Sequence, residues 1–208
     1  MISETSQRRT KRDVLAEFRH AEILGAARGV FAEKGFAGAS VDEIAQAAGV
    51  AKGTIYLYYP SKRDIYFAAL REGLTALAAR TRENVQGAET LLEKIRAYVE
   101  TKVRYCDEHR DFFRIYFAEL GNMMSQHETR ESGFEQVFLD QVALLEDAVR
   151  QGESRGEARD LPARSVAFAI ANLTRGAITQ RLVGWTEGSI EREVELLVDF
   201  AWKGISSP

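Results

Sequence analysis

The segment SVDEIAQAAGVAKGTIYLYYPSK, residues 40–62, constrains the fold more than any other part of the chain. Ser40 followed three residues later by Glu43 forms a capping box, which predicts the start of a helix. Gly49 suits the left-handed backbone conformation that ends a helix. A second short helix is expected over residues 52–59. The segment therefore predicts two short helices joined by a sharp turn.

A stop and a restart follow the second short helix. Pro60 ends this helix, because the residue before a proline is disfavoured in the helical conformation. Ser61 and Asp64 then form a second cap, which predicts the start of a longer helix. Two helices around a tight turn allow the second helix to enter the major groove of DNA. The segment therefore predicts a helix-turn-helix that binds DNA.

The run FAEKGFAGASVDEIAQAAGVAKGTIYLYYPSKRDI, from Phe31 to Ile65, resembles the DNA-binding domain of the TetR family of bacterial transcriptional regulators. The remainder of the chain is similar to that family only in length and helical layout. The resemblance implies an all-α fold of about nine helices in two parts. A three-helix DNA-binding domain is joined to a larger helical domain that binds an effector and forms the dimer.

We predict three consecutive parts along the chain. Residues 1–16 form a flexible basic arm that reaches DNA or only adds solubility, and residues 17–62 form the helix-turn-helix domain with its motif at 40–59. Within that domain, a first helix is expected from Phe18 to Lys34 and ends at Gly35. Residues 63–208 form the helical effector-binding and dimerisation domain.

Charge supports this division of the chain. Residues 1–63 hold 10 Lys and Arg against 7 Asp and Glu, whereas the whole chain holds 28 against 31, so a basic first part precedes an acidic remainder. This asymmetry suits a DNA-binding domain attached to a regulatory domain. No apolar stretch has the length of a membrane span, and no secretory signal is visible. The single cysteine, Cys106, fits a reducing cytoplasm.

The resemblance implies a set of DNA contacts. The Lys52 ammonium can meet phosphate or a guanine edge, the Thr54 hydroxyl can meet phosphate or base, and Gly53 lets the backbone approach closely. Two tyrosine hydroxyls can bind phosphates beside the groove. Ile55 and Tyr59 are expected in the core. The full predicted set is Ser40, Lys52, Gly53, Thr54, Tyr56, Tyr58 and Lys62.

Helical spacing predicts five further helices in the body, over about 89–108, 110–122, 133–151, 162–185 and 190–203. The helix after Pro162 carries a stripe of small residues, and the last helix carries leucine and valine. The resemblance implies a homodimer through a four-helix bundle made from these two helices of each subunit. The alternative is that the stripe packs inside one chain. Its members are Ala167, Ala169, Ala171, Gly176 and Ala177.

Polar residues interrupt the apolar helical faces of the body. A cavity lined by aromatic side chains with a few polar anchors is typical of a small-ligand site. Asn172 and Arg175 are the strongest candidates, because the helix around them is otherwise apolar and small. The alternative is that the aromatic side chains form an ordinary core and the polar groups face solvent. The predicted effector-binding residues are Tyr98, Lys102, Tyr105, His109, Tyr116, Asn172 and Arg175.

Other chemistry finds little support in the sequence. Cys106 and His109 are three residues apart, but two ligands do not make a closed metal site. No nucleophile elbow or phosphate-binding glycine loop occurs, so we expect no enzyme activity and no cofactor. The sequence predicts a DNA-binding transcriptional regulator that acts as a repressor. A small molecule is expected to release it from a pseudo-palindromic operator. The alternative is a helical interaction protein or enzyme in which the helix-turn-helix is only structural.

Overall fold

The computed structural model describes residues 11–110, 113, 117, 134–186 and 188–207. These residues form eight α-helices and no β-strand, which confirms the all-α class. The expected count of about nine helices was one too high for this part of the chain. The helix predicted over 110–122 falls mostly on residues outside the described set. None of the described helices is long and apolar enough to cross a lipid bilayer.

The chain divides into two compact units, one ending at Ala69 and the other beginning at Leu70. The first unit contains helices α1 (Lys11–Gly38), α2 (Val41–Ala47) and α3 (Lys52–Tyr58), and helix α4 (Lys62–Gln86) begins in it. Its core includes Ile23, Ile44 and Ile55, each with no exposed surface. The division therefore falls inside a continuous helix rather than in a loop.

Glycines shape two turns of the first unit. Gly35 has a φ of 68° and interrupts α1, so the regular part of this helix ends where the sequence predicted. Gly49 has a φ of 65°. The Gly49 N–H donates to the Gln46 carbonyl and the Val50 N–H donates to the Ala45 carbonyl. These two bonds complete a Schellman motif, which sets the sharp turn between α2 and α3.

The second unit contains most of α4 together with α5 (Leu91–Glu108), α6 (Phe134–Ser154), α7 (Ala163–Leu182) and α8 (Ile190–Ile205). Thr90 and Glu93 form a capping box at the start of α5. Ser189 caps α8 by accepting a hydrogen bond from the Arg192 N–H. Apolar side chains of α5, α6, α7 and α8 form the core, including Ile95, Leu145 and Val198.

Candidate nucleic-acid interface and effector site

Helix α3 has a buried side and an outward side. Ile55 has no exposed surface and Tyr59 is 7% exposed, so both belong to the core as expected. Because successive residues of a helix are turned by about 100°, Gly53 and Leu57 lie opposite Ile55. A Cβ atom added to Gly53 would have no neighbour within 4 Å. Within the described residues, no other part of the first unit therefore covers Gly53, at the centre of the outward side of α3.

Leu57 is the residue of this surface that the sequence interpretation missed. It is 83% exposed, whereas Tyr56 beside it is 46% exposed. An exposed leucine is common on protein surfaces, so composition alone could not single it out. Its position two residues after buried Ile55 was the available signal, since that spacing places it on the opposite side of the helix. The outward side of α3 is formed by Lys52, Gly53, Thr54, Tyr56 and Leu57.

Lys52 is exposed and already has an acidic partner. Its Nζ donates to Asp42 Oδ2 over 2.8 Å, and the same hydrogen bond raises the pKa of Lys52. The pair connects the start of α3 to α2. Exposed pairs of this kind contribute little to stability. The Lys52 ammonium can therefore exchange Asp42 for a phosphate at small cost.

Two adjacent tyrosines connect α3 to α1 through His20, a residue that the sequence interpretation did not use. The Tyr59 hydroxyl and His20 Nδ1 lie 2.8 Å apart and form a hydrogen bond. The ring of Tyr58 meets the His20 ring edge-on, with centroids 4.7 Å apart. These contacts hold the end of α3 against α1. Tyr58 is half-buried, so part of its surface is available for a phosphate contact.

Ser40 and Lys62 stabilise the first unit. The Ser40 hydroxyl accepts a hydrogen bond from the Glu43 N–H. The Ser40 hydroxyl and the Ser40 N–H both donate to Glu43 Oε2. Lys62 Nζ donates to the carbonyls of Phe36 and Ala39 over 2.6 and 2.8 Å. Two of its three N–H groups are thus engaged by backbone. Both residues hold the segment before α2 in place, a role that the sequence interpretation assigned only to Ser40.

Glu43 is the acidic centre of this arrangement. Lys34 Nζ donates to Glu43 Oε1 over 2.5 Å. The hydrogen bond from Lys34, followed by those from Ser40, lowers the pKa of Glu43 from 4.5 to about 2. Because the folded pKa is depressed, the ionised carboxylate stabilises the fold above the unfolded pKa. That contribution is lost as the pH falls from about 4.5 towards about 2.

This pKa predicts an acid-sensitive contribution to folding. We expect the urea midpoint of the wild-type protein to fall between pH 5 and pH 3 by more than that of a Glu43→Gln variant, since glutamine keeps the cap without ionising. Urea unfolding followed by circular dichroism at a series of pH values measures both profiles. A Lys34→Met variant should show a reduced drop as well. Superimposable profiles for all three proteins would contradict the assignment.

Tyr98 and Lys102 lie together in the second unit, on successive turns of α5. Tyr98 has no exposed surface, and Lys102 is half-buried. Lys102 Nζ donates to the Tyr98 hydroxyl over 3.2 Å and lies 4.7 Å from the centroid of the Tyr98 ring. Two of the residues predicted for the effector site are thus in contact, with Tyr98 in the core of this unit and Lys102 at its edge.

Tyr105 and His109 form a second contact near the end of α5. Tyr105 is 8% exposed, and its hydroxyl donates to the Gly73 carbonyl over 3.3 Å. The His109 ring lies 4.2 Å from the Tyr105 ring, centroid to centroid, but His109 itself is exposed. Nearby Cys106 is buried, and burial raises the pKa of its thiol to about 12, so the thiol is not a ready metal ligand.

The remaining predicted effector residues are placed differently. Tyr116 lies outside the described residues. Asn172 and Arg175, the strongest candidates from the sequence, are exposed on α7 and do not lie inside the second unit. The reason is packing, because α7 buries a different side, whose members include Ala167 and Ala171. Arg175 donates to Asn172 over 2.6 Å and lies over the Phe138 ring at 5.5 Å.

A group of charged residues that the sequence did not reveal joins α5, α7 and α8. Arg181 is only 12% exposed, and its guanidinium donates to Glu193 over 2.8 Å and to Asp107 over 3.2 Å. It also donates to the Gly188 carbonyl over 2.9 Å. Glu193 is 13% exposed. Asp107 lies 74 residues from Arg181 in the sequence and Gly188 and Glu193 lie beyond the end of α7, so the pattern within α7 could not have indicated these partners.

Two grooves run between α7 and α8, one lined almost wholly by apolar residues and the other by apolar and polar residues. One groove of about 610 Å³ is lined by residues such as Val166, Ala169 and Phe200, and a second of about 820 Å³ by residues such as Gly176 and Leu196. Leu196 and Phe200 are 66% and 69% exposed. The predicted stripe of small residues is therefore divided. Its exposed members, Ala169 and Gly176, line the grooves, Ala167 and Ala171 pack inside the chain, and Ala177 is buried at the wall of the second groove.

Two family models match the sequence. Residues 23–69 match the bacterial regulatory proteins of the tetR family, and residues 88–179 match the tetracyclin repressor-like C-terminal domain. The first match contains the whole helix-turn-helix. The second begins just before α5 and ends within α7. Both units are therefore matched by models that describe one kind of protein.

Individual relatives agree with these matches. The transcriptional repressor KstR2 of Mycobacterium tuberculosis is 30% identical over 138 residues, which cover 66% of this chain and 68% of that protein. The transcriptional activator FasR of Mycolicibacterium smegmatis is 27% identical over 189 residues, covering 90% and 83%. The solved structure of KstR2 has a TM-score of 0.71 at 26% identity and covers 91% of this chain and 96% of that chain.

A further structure shares the fold. A transcriptional regulator FadR from Bacillus subtilis, solved in complex with stearoyl-CoA, has a TM-score of 0.79 at 23% identity, covering 89% of this chain and 98% of that chain. The arrangement of helices is thus found in solved regulators over nearly the whole length of the chain.

Proposed function

Since the chain belongs to the TetR family of bacterial regulatory proteins, and is therefore a DNA-binding transcriptional regulator, we propose that it acts as a homodimeric repressor. It binds a pseudo-palindromic operator and leaves it when a small molecule binds the second unit. The protein is not an enzyme and works in the cytoplasm. The outward side of α3 supports this proposal, because Gly53 and Leu57 lie opposite buried Ile55 and leave that side free to enter the major groove of DNA.

The proposed DNA contacts divide by chemistry. Lys52, Thr54, Tyr56 and Tyr58 carry groups that bind phosphate or base, and exposed Leu57 adds an apolar contact. Phosphate contacts position a protein on DNA, whereas contacts to base edges specify the sequence. Leucine cannot bind phosphate, so its exposed position suits an apolar partner such as the methyl group of thymine. We therefore assign Leu57 to sequence recognition.

A Leu57→Ala variant is expected to bind a preferred operator about tenfold more weakly, since one apolar base contact of about 1.4 kcal/mol corresponds to that factor. Binding to a random duplex should not change. The operator is obtained by selection from a pool of randomised duplexes, and affinities are measured by fluorescence anisotropy. Leu15→Ala is the matched control, because Leu15 is an exposed leucine elsewhere in the first unit. Equal losses on operator and random DNA would contradict the assignment.

The whole DNA-binding proposal has a direct experiment. The protein should shift DNA from upstream of its own gene, and the affinity should fall steeply with salt concentration, because phosphate contacts release bound counterions. A reporter gene under the same promoter then gives the direction of control. Lower expression in the presence of the protein supports repression. Higher expression would instead place the protein with activators, as the name of FasR does for that relative.

The effector proposal rests on linkage between two sites. A ligand that binds the non-DNA conformation more tightly lowers DNA affinity, and DNA lowers the affinity for the ligand by the same factor. Tyr98 and Lys102, in contact in the second unit, are the strongest remaining anchors for such a ligand. A titrated small molecule should therefore release labelled operator, and added operator should weaken binding of that molecule equally.

The proposed dimer uses α7 and α8. Leu196 and Phe200 are large apolar side chains that are mostly exposed, and they border grooves of their own surface. A two-fold interface uses the same patch on both subunits, so these side chains of one subunit can fill the grooves of its partner. A symmetric dimer then presents two α3 helices to the two half-sites of a pseudo-palindrome.

A further inference from the structure

One buried polar side chain of the second unit differs from the other buried polar side chains. In the described residues, the three other buried polar side chains are threonines, and each hydroxyl has a partner 2.7 or 2.8 Å away. Gln141 on α6 is 3% exposed, and neither its Nε2 nor its Oε1 has a hydrogen-bond partner within the described part of the chain. The four residues are Thr81, Thr101, Thr174 and Gln141.

The surroundings of Gln141 make this amide unfavourable. Val142 and Leu145, its neighbours on α6, are 2% and 0% exposed. A buried amide without partners loses its bonds to water and gains none in return, and native proteins rarely tolerate this. An apolar residue of similar shape would avoid the cost. The amide at this position therefore needs a partner that the described residues do not supply.

The register between α5 and α6 places Gln141 level with Lys102. The Lys94 ammonium donates to Gln151 Oε1 over 2.8 Å, and a Cβ atom on Gly152 would touch Leu91. The two helices thus run antiparallel, because the contact partners on α6 move backwards as those on α5 move forwards. Lys102 lies eleven residues after Leu91, and Gln141 lies eleven residues before Gly152. Because both helices rise by the same distance per residue, Lys102 and Gln141 lie at the same height along the helix pair.

Lys102 adds a charge to this place. It is half-buried, and no carboxylate of the described residues lies within ion-pair distance of its ammonium. Its neighbours are the hydroxyl and ring of buried Tyr98. By contrast, Arg104 on the same helix pairs with both Glu100 and Glu191. A partly desolvated cation without a counter-charge favours an anionic or strongly polar oxygen as its partner.

We infer that Gln141, Lys102 and Tyr98 form the polar anchor of the effector site, and that the effector carries a carboxylate or acyl carbonyl oxygen on a large apolar body. This inference rests on the proposed effector response. The ammonium, the amide N–H groups and the tyrosine hydroxyl all donate hydrogen bonds, so an acceptor oxygen satisfies several of them at once. The hydrocarbon part would lie against the apolar side chains beside Gln141, which include Val142 and Leu145.

Three probes test the ligand class. Palmitate carries a carboxylate, palmitoyl-CoA carries an acyl carbonyl, and 1-hexadecanol carries neither. We expect isothermal titration calorimetry to detect binding of palmitate, palmitoyl-CoA or both, and at least tenfold weaker binding of hexadecanol. The comparison of the first two distinguishes a free acid from a thioester. Equal affinity for all three probes, or binding of none, would overturn the inference.

Matched variants test the residues. Lys102→Met and Gln141→Met keep the side-chain volume and remove the polar groups, and each should weaken binding of the probe about tenfold or more. Lys94→Met is the control, because Lys94 is also a lysine of α5 and its ammonium donates to a glutamine of α6, Gln151. Its affinity for the probe should remain unchanged. Unchanged affinity in both anchor variants would indicate ordinary core packing or a resident water, and would overturn the inference.

The unfolding of the ligand-free protein gives an independent readout. If Gln141 has no partner in the resting protein, Gln141→Met should leave the unfolding temperature unchanged or raise it. A clear decrease would show that the amide is already satisfied, which contradicts the proposed role. Operator binding by the ligand-free wild-type protein is measured separately. Its loss would refute the proposed function, whereas failure of the probes alone would refute only this anchor.

Discussion

A Phe200→Asp variant is expected to be monomeric, in contrast to the dimer proposed for the wild-type protein, and to bind a complete operator at least 100-fold more weakly. Phe200 is 69% exposed and borders an apolar groove between α7 and α8. In the proposed two-fold interface this position occurs twice, so one substitution buries two carboxylates in an apolar contact. Each monomer then holds only one half-site. A loss of about 3 kcal/mol corresponds to that factor.

Light scattering at fixed protein concentrations measures the mass, and anisotropy with a complete operator and with a single half-site measures the affinity. The monomeric variant should keep its affinity for the half-site, because Phe200 belongs to the second unit and α3 to the first. Phe18→Asp is the control, since Phe18 is 58% exposed in the first unit. A monomeric wild-type protein, or a variant with an undiminished dimer mass, would refute the interface.

An Arg181→Met variant is expected to lose about 3 kcal/mol of stability. The substitution leaves Glu193, which is 13% exposed, without its cation, whereas Asp107 keeps Arg110 at 3.1 Å. Removing one member of a buried pair is costly because the remaining charge stays poorly solvated. Urea unfolding measures the loss, with all proteins at one concentration because association contributes to apparent stability.

Two comparisons make this prediction specific. Arg80→Met removes an arginine that pairs with Glu108, but both side chains of that pair are about half exposed, so its loss should stay below about 1 kcal/mol. Arg181→Met combined with Glu193→Gln should recover part of the loss, since one uncompensated charge is then removed. Equal effects of the two arginine substitutions would show that the buried charges contribute no more than a surface pair.

The helix-turn-helix was predictable because its determinants are local. Ser40 and Glu43 lie three residues apart and form the expected capping box. Gly49 adopts the left-handed conformation that its position required. Each of these interactions is formed within a few residues, so the pattern of residue types was enough to locate it. Lys62 was different, because its carbonyl partners are 23 and 26 residues away.

The second unit was predictable only in outline. Hydrophobic spacing located α5, α6, α7 and α8 to within a few residues, but it did not give the side of α7 that packs inside. Arg175 was therefore expected at the effector site and is exposed, whereas Arg181, six residues later, is only 12% exposed. Both are arginines in a helix of small and apolar residues, so residue type could not distinguish them.

The sequence by itself determined the class of fold, the position of the DNA-binding motif and the family of the protein, because caps, turns and helical periodicity act over a few residues. The tertiary structure decided which polar groups meet. It exposes Leu57, it pairs Arg181 with Asp107 and Glu193, and it leaves the Gln141 amide without a hydrogen-bond partner in the described part of the chain. These outcomes depend on packing between helices distant in sequence, which sets burial and therefore the strength of each charge and hydrogen bond.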